Sequence, residues 1–200
     1  MNTVKLEGLD KALQQFEGLE GKVKRAARLS INSAARRYRT EGSRLIRQEV
    51  KLKANYVNKH LKAVPARGDK LEARISATRR PVLLSRYGAN QLTRKAKSTR
   101  AKGDAYRGIA AGRKAAGVSV AVKHGRKKMR GAFLIRLRAG RYNDAGAWGV
   151  ALRTGRGRDA YKILHGPSVD QLWRDVRVDI APGVSAYVSQ EFLRQLDRLL

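Results

Sequence analysis

The sequence predicts an α+β fold, with long N-terminal helices packed on a small antiparallel, meander-like sheet, a C-terminal amphipathic helix and a long basic loop or arm. Three observations predict it. Apolar residues recur at helical spacing over residues 9–45 and again over 184–199. Between these stretches, short segments alternate apolar and polar residues with a period of two. A segment rich in Lys, Arg and Gly, with little apolar periodicity, interrupts the alternating region. The expected organisation is a single domain over 1–200. Its helical part is 1–64, its sheet 70–85 and 117–165, its basic arm 86–116 and its C-terminal helices 167–200.

Each element has its own warrant. Leu9, Leu13, Phe16 and Leu19 form a first helical stripe, and Gly18 and Gly21 loosen its end. A longer helix follows, about Lys22 to Lys51, on the stripe Ala27, Ile31, Ala34, Tyr38, Gly42 and Leu45. Its small residues let another element approach closely. Its other faces carry nine basic residues, Lys22, Lys24, Arg25, Arg28, Arg36, Arg37, Arg39, Arg44 and Arg47. These read either as a solvated face or as a nucleic-acid surface. Asn55 caps a short third helix, Tyr56 to Ala63, ended by Pro65. Leu71, Ala73, Ile75 and Ala77 then alternate with polar residues as a half-buried strand. Pro81-Val82-Leu83-Leu84 adds a short strand, and its proline places it at an edge.

Gly88 to Gly117 holds five glycines (Gly88, Gly103, Gly108, Gly112, Gly117) and no proline. Thirty residues of this kind suggest a functional loop or an arm that orders on assembly. Strand alternation returns at Val118–Val122, Phe133–Leu137 and Trp148–Leu152, joined by the basic turn His124–Gly131 and the loop Gly140–Gly146. Three strands in a row suggest an antiparallel meander. Tyr161–Leu164 makes a last strand. Ser168 then reads as the N-cap of a helix with Asp170 and Gln171 in its first turn. Pro182-Gly183 divides that helix from a final one striped by Val184, Val188, Phe192, Leu196 and Leu199.

Charge is the dominant feature. The 200 residues carry 45 Lys and Arg against 16 Asp and Glu, a formal net charge of +29. Fourteen of the basic residues lie between Arg86 and Arg130, with Asp104 the one acid among them. Such a surface is suited to a negative partner. The residues expected to contact that partner, protein or DNA, are Arg94, Lys95, Lys97, Arg100, Lys102, Arg113, Lys114, Arg126, Lys127, Lys128 and Arg130. If the partner is nucleic acid, binding runs through phosphates and falls steeply with salt. Tyr87 and Tyr106 are too few for a base-stacking platform.

Little in the sequence points to catalysis. It has no cysteine, so thiolate chemistry is excluded, and its histidines (His60, His124, His165) are scattered. Neither a metal site nor a cofactor is expected. Glu49-Val50-Lys51 matches half of a metal-dependent nuclease centre, without an acidic partner on a credible strand. Gly155-Arg156-Gly157 lacks the rest of a phosphate loop, and no nucleophile elbow is present. We therefore expect no enzyme. No apolar run approaches a membrane span, and Met1–Lys5 has no signal core, so a chain made in the cytoplasm and kept off membranes is expected.

An ordered series of features carries a family resemblance: Gly8-Leu9, the Ser30-Ile31-Asn32-Ser33-Ala34-Ala35 turns, Tyr56–Leu61, Ala73-Arg74-Ile75, Pro81–Leu84, Gly131-Ala132-Phe133-Leu134-Ile135 with Gly140-Arg141, Val150–Gly155, and Ile163–Val169 before the amphipathic C-terminal helix. Over nearly its whole length the chain resembles the minor tail protein Z family of tailed bacteriophages and prophages, the tail-completion proteins. The resemblance implies a structural virion protein of the tail neck. Such a protein sits at the head-proximal end beside the tail terminator, in a homo-oligomeric ring, and readies the tail for joining to the head. The resemblance supplies no catalytic residues. The cationic segment would face either acidic neighbours in the tail or the genome DNA entering the neck.

Overall fold

The computed structural model describes residues 9–68, 70–123, 125–137, 146–157 and 159–200, with side chains from Leu19 onward. Its architecture is α+β: long N- and C-terminal helices and small antiparallel sheets. The elements are α1 (Leu9–Glu49), α2 (Ala54–His60), β1 (Leu61–Val64), β2 (Arg74–Ala77), β3 (Val82–Leu83), β4 (Asn90–Lys95), β5 (Arg113–Val120), β6 (Lys127–Met129), β7 (Ala132–Arg136), β8 (Trp148–Arg153), β9 (Tyr161–Gly166) and α3 (Val169–Asp197). The chain divides into two compact units. One comprises 1–42, 61–76 and 175–200, and the other 43–60 and 77–174.

In the first unit, α1 is continuous where two helices were expected. Gly18 and Gly21 each cost about 1 kcal/mol relative to Ala, but strong helix formers surround them and no proline intervenes. The side chains of Leu9, Leu13 and Phe16 lie outside the described residues, as does Gly8. The buried seam is Ala26, Ser30, Ala34, Tyr38 and Gly42, a row of i, i+4 neighbours. Half of the expected stripe lies on it, while Ala27 and Ile31 flank it. Ser30 occupies the seam because its hydroxyl donates to the Ala27 carbonyl oxygen at 2.8 Å, so no polar group is left unsatisfied.

Asn32 clasps residue 66 from both sides. Its Nδ2 donates to the Ala66 carbonyl (3.2 Å), and its Oδ1 accepts from the Ala66 N–H (2.7 Å). Arg39 Nε donates to the Leu61 carbonyl at 2.9 Å. These bonds hold 61–66 along α1, and β1 pairs with β2. Leu61–Ala63 is therefore strand where helix was expected. The short α2 stops at His60, whose ring stacks on Tyr56 (centroids 4.1 Å apart) and whose Nδ1 lies 2.8 Å from the Tyr56 carbonyl oxygen.

The C-terminal helix is also continuous where a break at Pro182 was expected. Proline deprives the carbonyl four residues back of its donor. That residue is Val178, which is 67% exposed, so water can serve the carbonyl instead. Gly183 lets Tyr38 come close: a Cβ there would meet Tyr38 Oη at 3.1 Å. Tyr38 in turn meets Tyr187 edge-on at 6.2 Å. Farther along, the seam position is Glu191, not Phe192, which is half-buried. Arg194 (2.6 and 2.8 Å) and Gln195 (2.7 Å) bond its carboxylate and hold it down to a pKa of about 2.

The second unit carries two sheets. One is four-stranded in the order β3-β9-β8-β7, with short β3 at its edge as Pro81 requires. The other is three-stranded in the order β4-β5-β6. The meander is therefore β7-β8-β9. Of the strand expected to lead it, Val118–Val122, only the first three residues are strand, and they end β5 in the other sheet; the basic turn 124–131 contains β6. His124 and 138–145, which include most of the Gly140–Gly146 loop, lie outside the described residues. Tyr87, fully buried, is the pivot of this core. Its hydroxyl donates to the Pro167 carbonyl at 2.7 Å, burial pushes its phenol pKa up, and its ring packs on Gly166. α3 begins with a reciprocal cap. Ser168 Oγ accepts from the Gln171 N–H (3.1 Å), and Gln171 Oε1 accepts from the Ser168 N–H (2.8 Å).

Candidate anion-binding hairpin

The basic segment expected to lack regular structure is a β-hairpin. β4 and β5 pair antiparallel from Asn90↔Ser119 to Lys95↔Arg113, with a register shift between Leu92 and Thr93. At that shift Gly117 adopts φ +112°, and a side chain there would run into the Met129 carbonyl oxygen. Only glycine lets β6 lie this close.

The loop between the strands is also organised. Ala96 N–H donates to the Gly112 carbonyl (2.9 Å), and Asp104 and Ile109 exchange two backbone bonds (2.7 and 2.8 Å). Ile109 is buried. A 3-10 turn, Ala105–Arg107, is capped by Asp104, whose carboxylate accepts the Arg107 N–H and pairs with its guanidinium at 3.2 Å. Ring packing anchors the turn to the meander. Tyr106 meets Trp148 at 4.8 Å, and the Arg107 guanidinium lies over the Phe133 ring at 5.8 Å. The arm is thus a folded excursion.

All eleven residues singled out from the sequence are exposed. The ladder sets Arg94 opposite Lys114 and Lys95 opposite Arg113. Like charges directly opposed on a ladder destabilise it. Register places Lys128, opposite Ser119, on the Arg94–Lys114 face and Lys127, opposite Val120, on the other. Lys97, Arg100 and Lys102 lie in the loop, and Arg130 follows β6. Asp104, the lone acid of the stretch, is already taken by Arg107. Among the described residues none of Arg94, Lys95, Lys97, Arg100 and Lys102 makes an ion pair.

Two of the eleven have structural work within the fold. Arg126 donates to Ser119 O (3.0 Å), Ser119 Oγ (3.0 and 3.3 Å) and Gly88 O (2.7 Å), tying the turn after β5 to the start of β4. Arg113 binds Thr93 through Oγ1 (2.8 Å) and the carbonyl (3.2 Å). Tyr87, counted with the basic segment, is core. The sequence reading missed the aromatic anchoring of the loop. Its signal was Tyr106, a large aromatic with no place in a polar loop.

Other sequence candidates stand apart from the hairpin. Glu49 ends α1 exposed, and Lys51 donates its backbone N–H to the Val122 carbonyl at 3.3 Å. His165 is exposed on β9. Among the described residues no group of His, Asp and Glu is placed to hold a metal ion, and no helix is long and apolar enough to cross a membrane.

A family model described as prophage minor tail protein Z matches residues 6–200, nearly the whole chain. No curated protein and no solved structure gives a significant match.

Proposed function

The chain belongs to the prophage minor tail protein Z family, a family of structural phage tail proteins, and from that premise we propose that it completes the head-proximal end of the tail. There it sits as a homo-oligomeric ring beside the terminator and readies the tail for the head. It acts by binding and does no chemistry. The observation that carries this reading is the exposed hairpin with like charges opposed across its ladder. A free surface of that kind is self-repelling, and an anionic neighbour relieves the repulsion. Lysines on the edge strands β4 and β6 also guard the sheet against unwanted strand addition before assembly.

Imaging intact particles that carry a tag on this chain tests the position. Signal at the head–tail junction is expected, and signal at the tail tip, or none in the particle, removes the reading. A second reading, contact with the genome DNA, is favoured by the same exposed Lys and Arg side chains. Its mark is an affinity for duplex DNA that falls linearly on a log–log salt plot. A salt-independent affinity removes it.

A further inference from the structure

A second surface is a cleft beside the start of β4, within the second unit. Its volume is about 530 Å³, in the range of clefts that bind ligands. Leu52 and Leu83, both buried, form its floor. Ala89, Ala147 and Trp148, all half-buried, line its sides. The Ser85 hydroxyl donates to the Trp148 carbonyl oxygen, and Tyr106 packs on the Trp148 ring at 4.8 Å, so this wall is held in place. Lys53 and Arg86, both exposed, supply the charge of the cleft. Among the described residues neither makes an ion pair, and no Asp or Glu lines the cleft. The positive surface continues at Gly88, another lining residue, where a Cβ would meet Lys51 Cδ at 3.7 Å and Arg126 Nη1 at 3.9 Å. The hydrogen-bond partners of Arg126 are neutral oxygens, so its charge is not cancelled.

We propose that this cleft docks an acidic segment of another protein, with one apolar side chain on the leucine floor and flanking carboxylates on Lys53 and Arg86. Floor and charge select this occupant together. Phosphates dominate contact with duplex DNA, and a strongly hydrated group does not match a leucine floor. Unstacked bases need open aromatic faces. Here the Tyr56 ring already carries His60 at 4.1 Å and the Arg86 guanidinium at 4.6 Å, and Trp148 carries Tyr106. A second copy would bring 45 Lys and Arg with only 16 Asp and Glu to a cleft whose lining charges are all positive. This inference depends neither on the hairpin nor on which end of the tail the chain occupies.

The test uses the full chain, whose two tryptophans, Trp148 and Trp173, give separate indole N–H resonances that Trp148→Phe assigns. The probes are the capped peptides EEFEE, EEGEE and KKFKK, and a short DNA duplex. EEFEE is expected to shift the Trp148 indole resonance saturably while that of Trp173 stays still. EEGEE should bind about tenfold or more weakly, because burying one apolar side chain is worth roughly that much. KKFKK and the duplex should leave Trp148 in place. Ala89→Leu, which fills the cleft, should weaken EEFEE. Lys53→Glu, at an exposed position that leaves the floor intact, should weaken it by about threefold or more and guards against a misfolded Ala89 variant. Equal binding of EEFEE and EEGEE, or of EEFEE and KKFKK, would overturn the proposal. So would an equal shift of Trp148 with the duplex, or a shift with protein concentration alone, which would make nucleic acid or a second copy the occupant.

Discussion

At the scale of single residues, two buried polar groups show how this fold tolerates polarity inside. Tyr87 satisfies its hydroxyl on the Pro167 carbonyl, and its ring occupies the space a side chain at position 166 would need. Gly166→Ala sets a Cβ 2.6 Å from Tyr87 Cε2 and 3.1 Å from Cζ. Such overpacking costs typically about 1–3 kcal/mol. A urea titration should show stability fall by that amount, and an unchanged midpoint would mean that Tyr87 yields freely. Glu191 is 6% exposed and its pKa is lowered to about 2, first by the Arg194 hydrogen bonds and then by Gln195. A depressed carboxylate pKa means stability that is fully present above its ordinary value of 4.5 and lost as pH falls from there towards 2. Glu191→Gln should flatten that part of the stability–pH curve. A mutant curve parallel to the wild-type one between these pH values would show that the pair does not stabilise the fold.

At the scale of elements, local signals were legible where one residue type has one job. Ser168 with Gln171 three positions on announced the start of α3, and the reciprocal bonds are made. Ser168→Ala should cost about 1 kcal/mol, read as a fall in the denaturation midpoint, and no change would mean that the cap is supplied elsewhere. Pro81 announced an edge strand, and β3 is one. The misses share a cause. Gly18, Gly21 and Pro182 punctuate local structure only when nothing stronger opposes them: strong helix formers flank the glycines, the residue whose carbonyl Pro182 strips of its donor is exposed, and the glycines lie ahead of the buried seam that starts at Ala26. The seams of α1 and α3 were themselves partly hidden, because Ser30 and Glu191 occupy core positions through hydrogen bonds that a hydrophobic pattern cannot register. The hairpin was illegible for a related reason. β4 and the first half of β5 carry Arg and Lys on both faces, so no period of two marks them, and the pairing is set by the ladder, the Gly117 bulge and the buried Val118 and Val120 beyond it. The residues of the candidate site were legible as composition, while their arrangement in opposed pairs was not.

At the scale of the whole molecule, the charge separates folding from function. A chain at +29 folds against its own repulsion, and the ladder adds to that repulsion by setting Arg94 against Lys114 and Lys95 against Arg113. Charge held at such a cost is expected to serve a purpose outside the fold. Replacing Arg94, Lys95, Lys97, Arg100 and Lys102 together by glutamine removes five exposed charges, none in an ion pair among the described residues. Exposed substitutions of this kind usually change stability by less than about 0.5 kcal/mol each, and relief of the two opposed pairs acts in the stabilising direction. The thermal midpoint of the variant should therefore hold or rise, while tails built with it join heads less efficiently. If DNA is the anion, the slope of its log–log salt plot should shrink by about 0.9 for each phosphate that the variant no longer neutralises; if an acidic protein face is the anion, the DNA slope should stay and stoichiometric association with tail proteins should weaken. A lowered midpoint would place these side chains in the folded core. Normal assembly by a stable variant would leave the cationic hairpin without a role in the tail, because the repulsion it carries would then be offset by nothing.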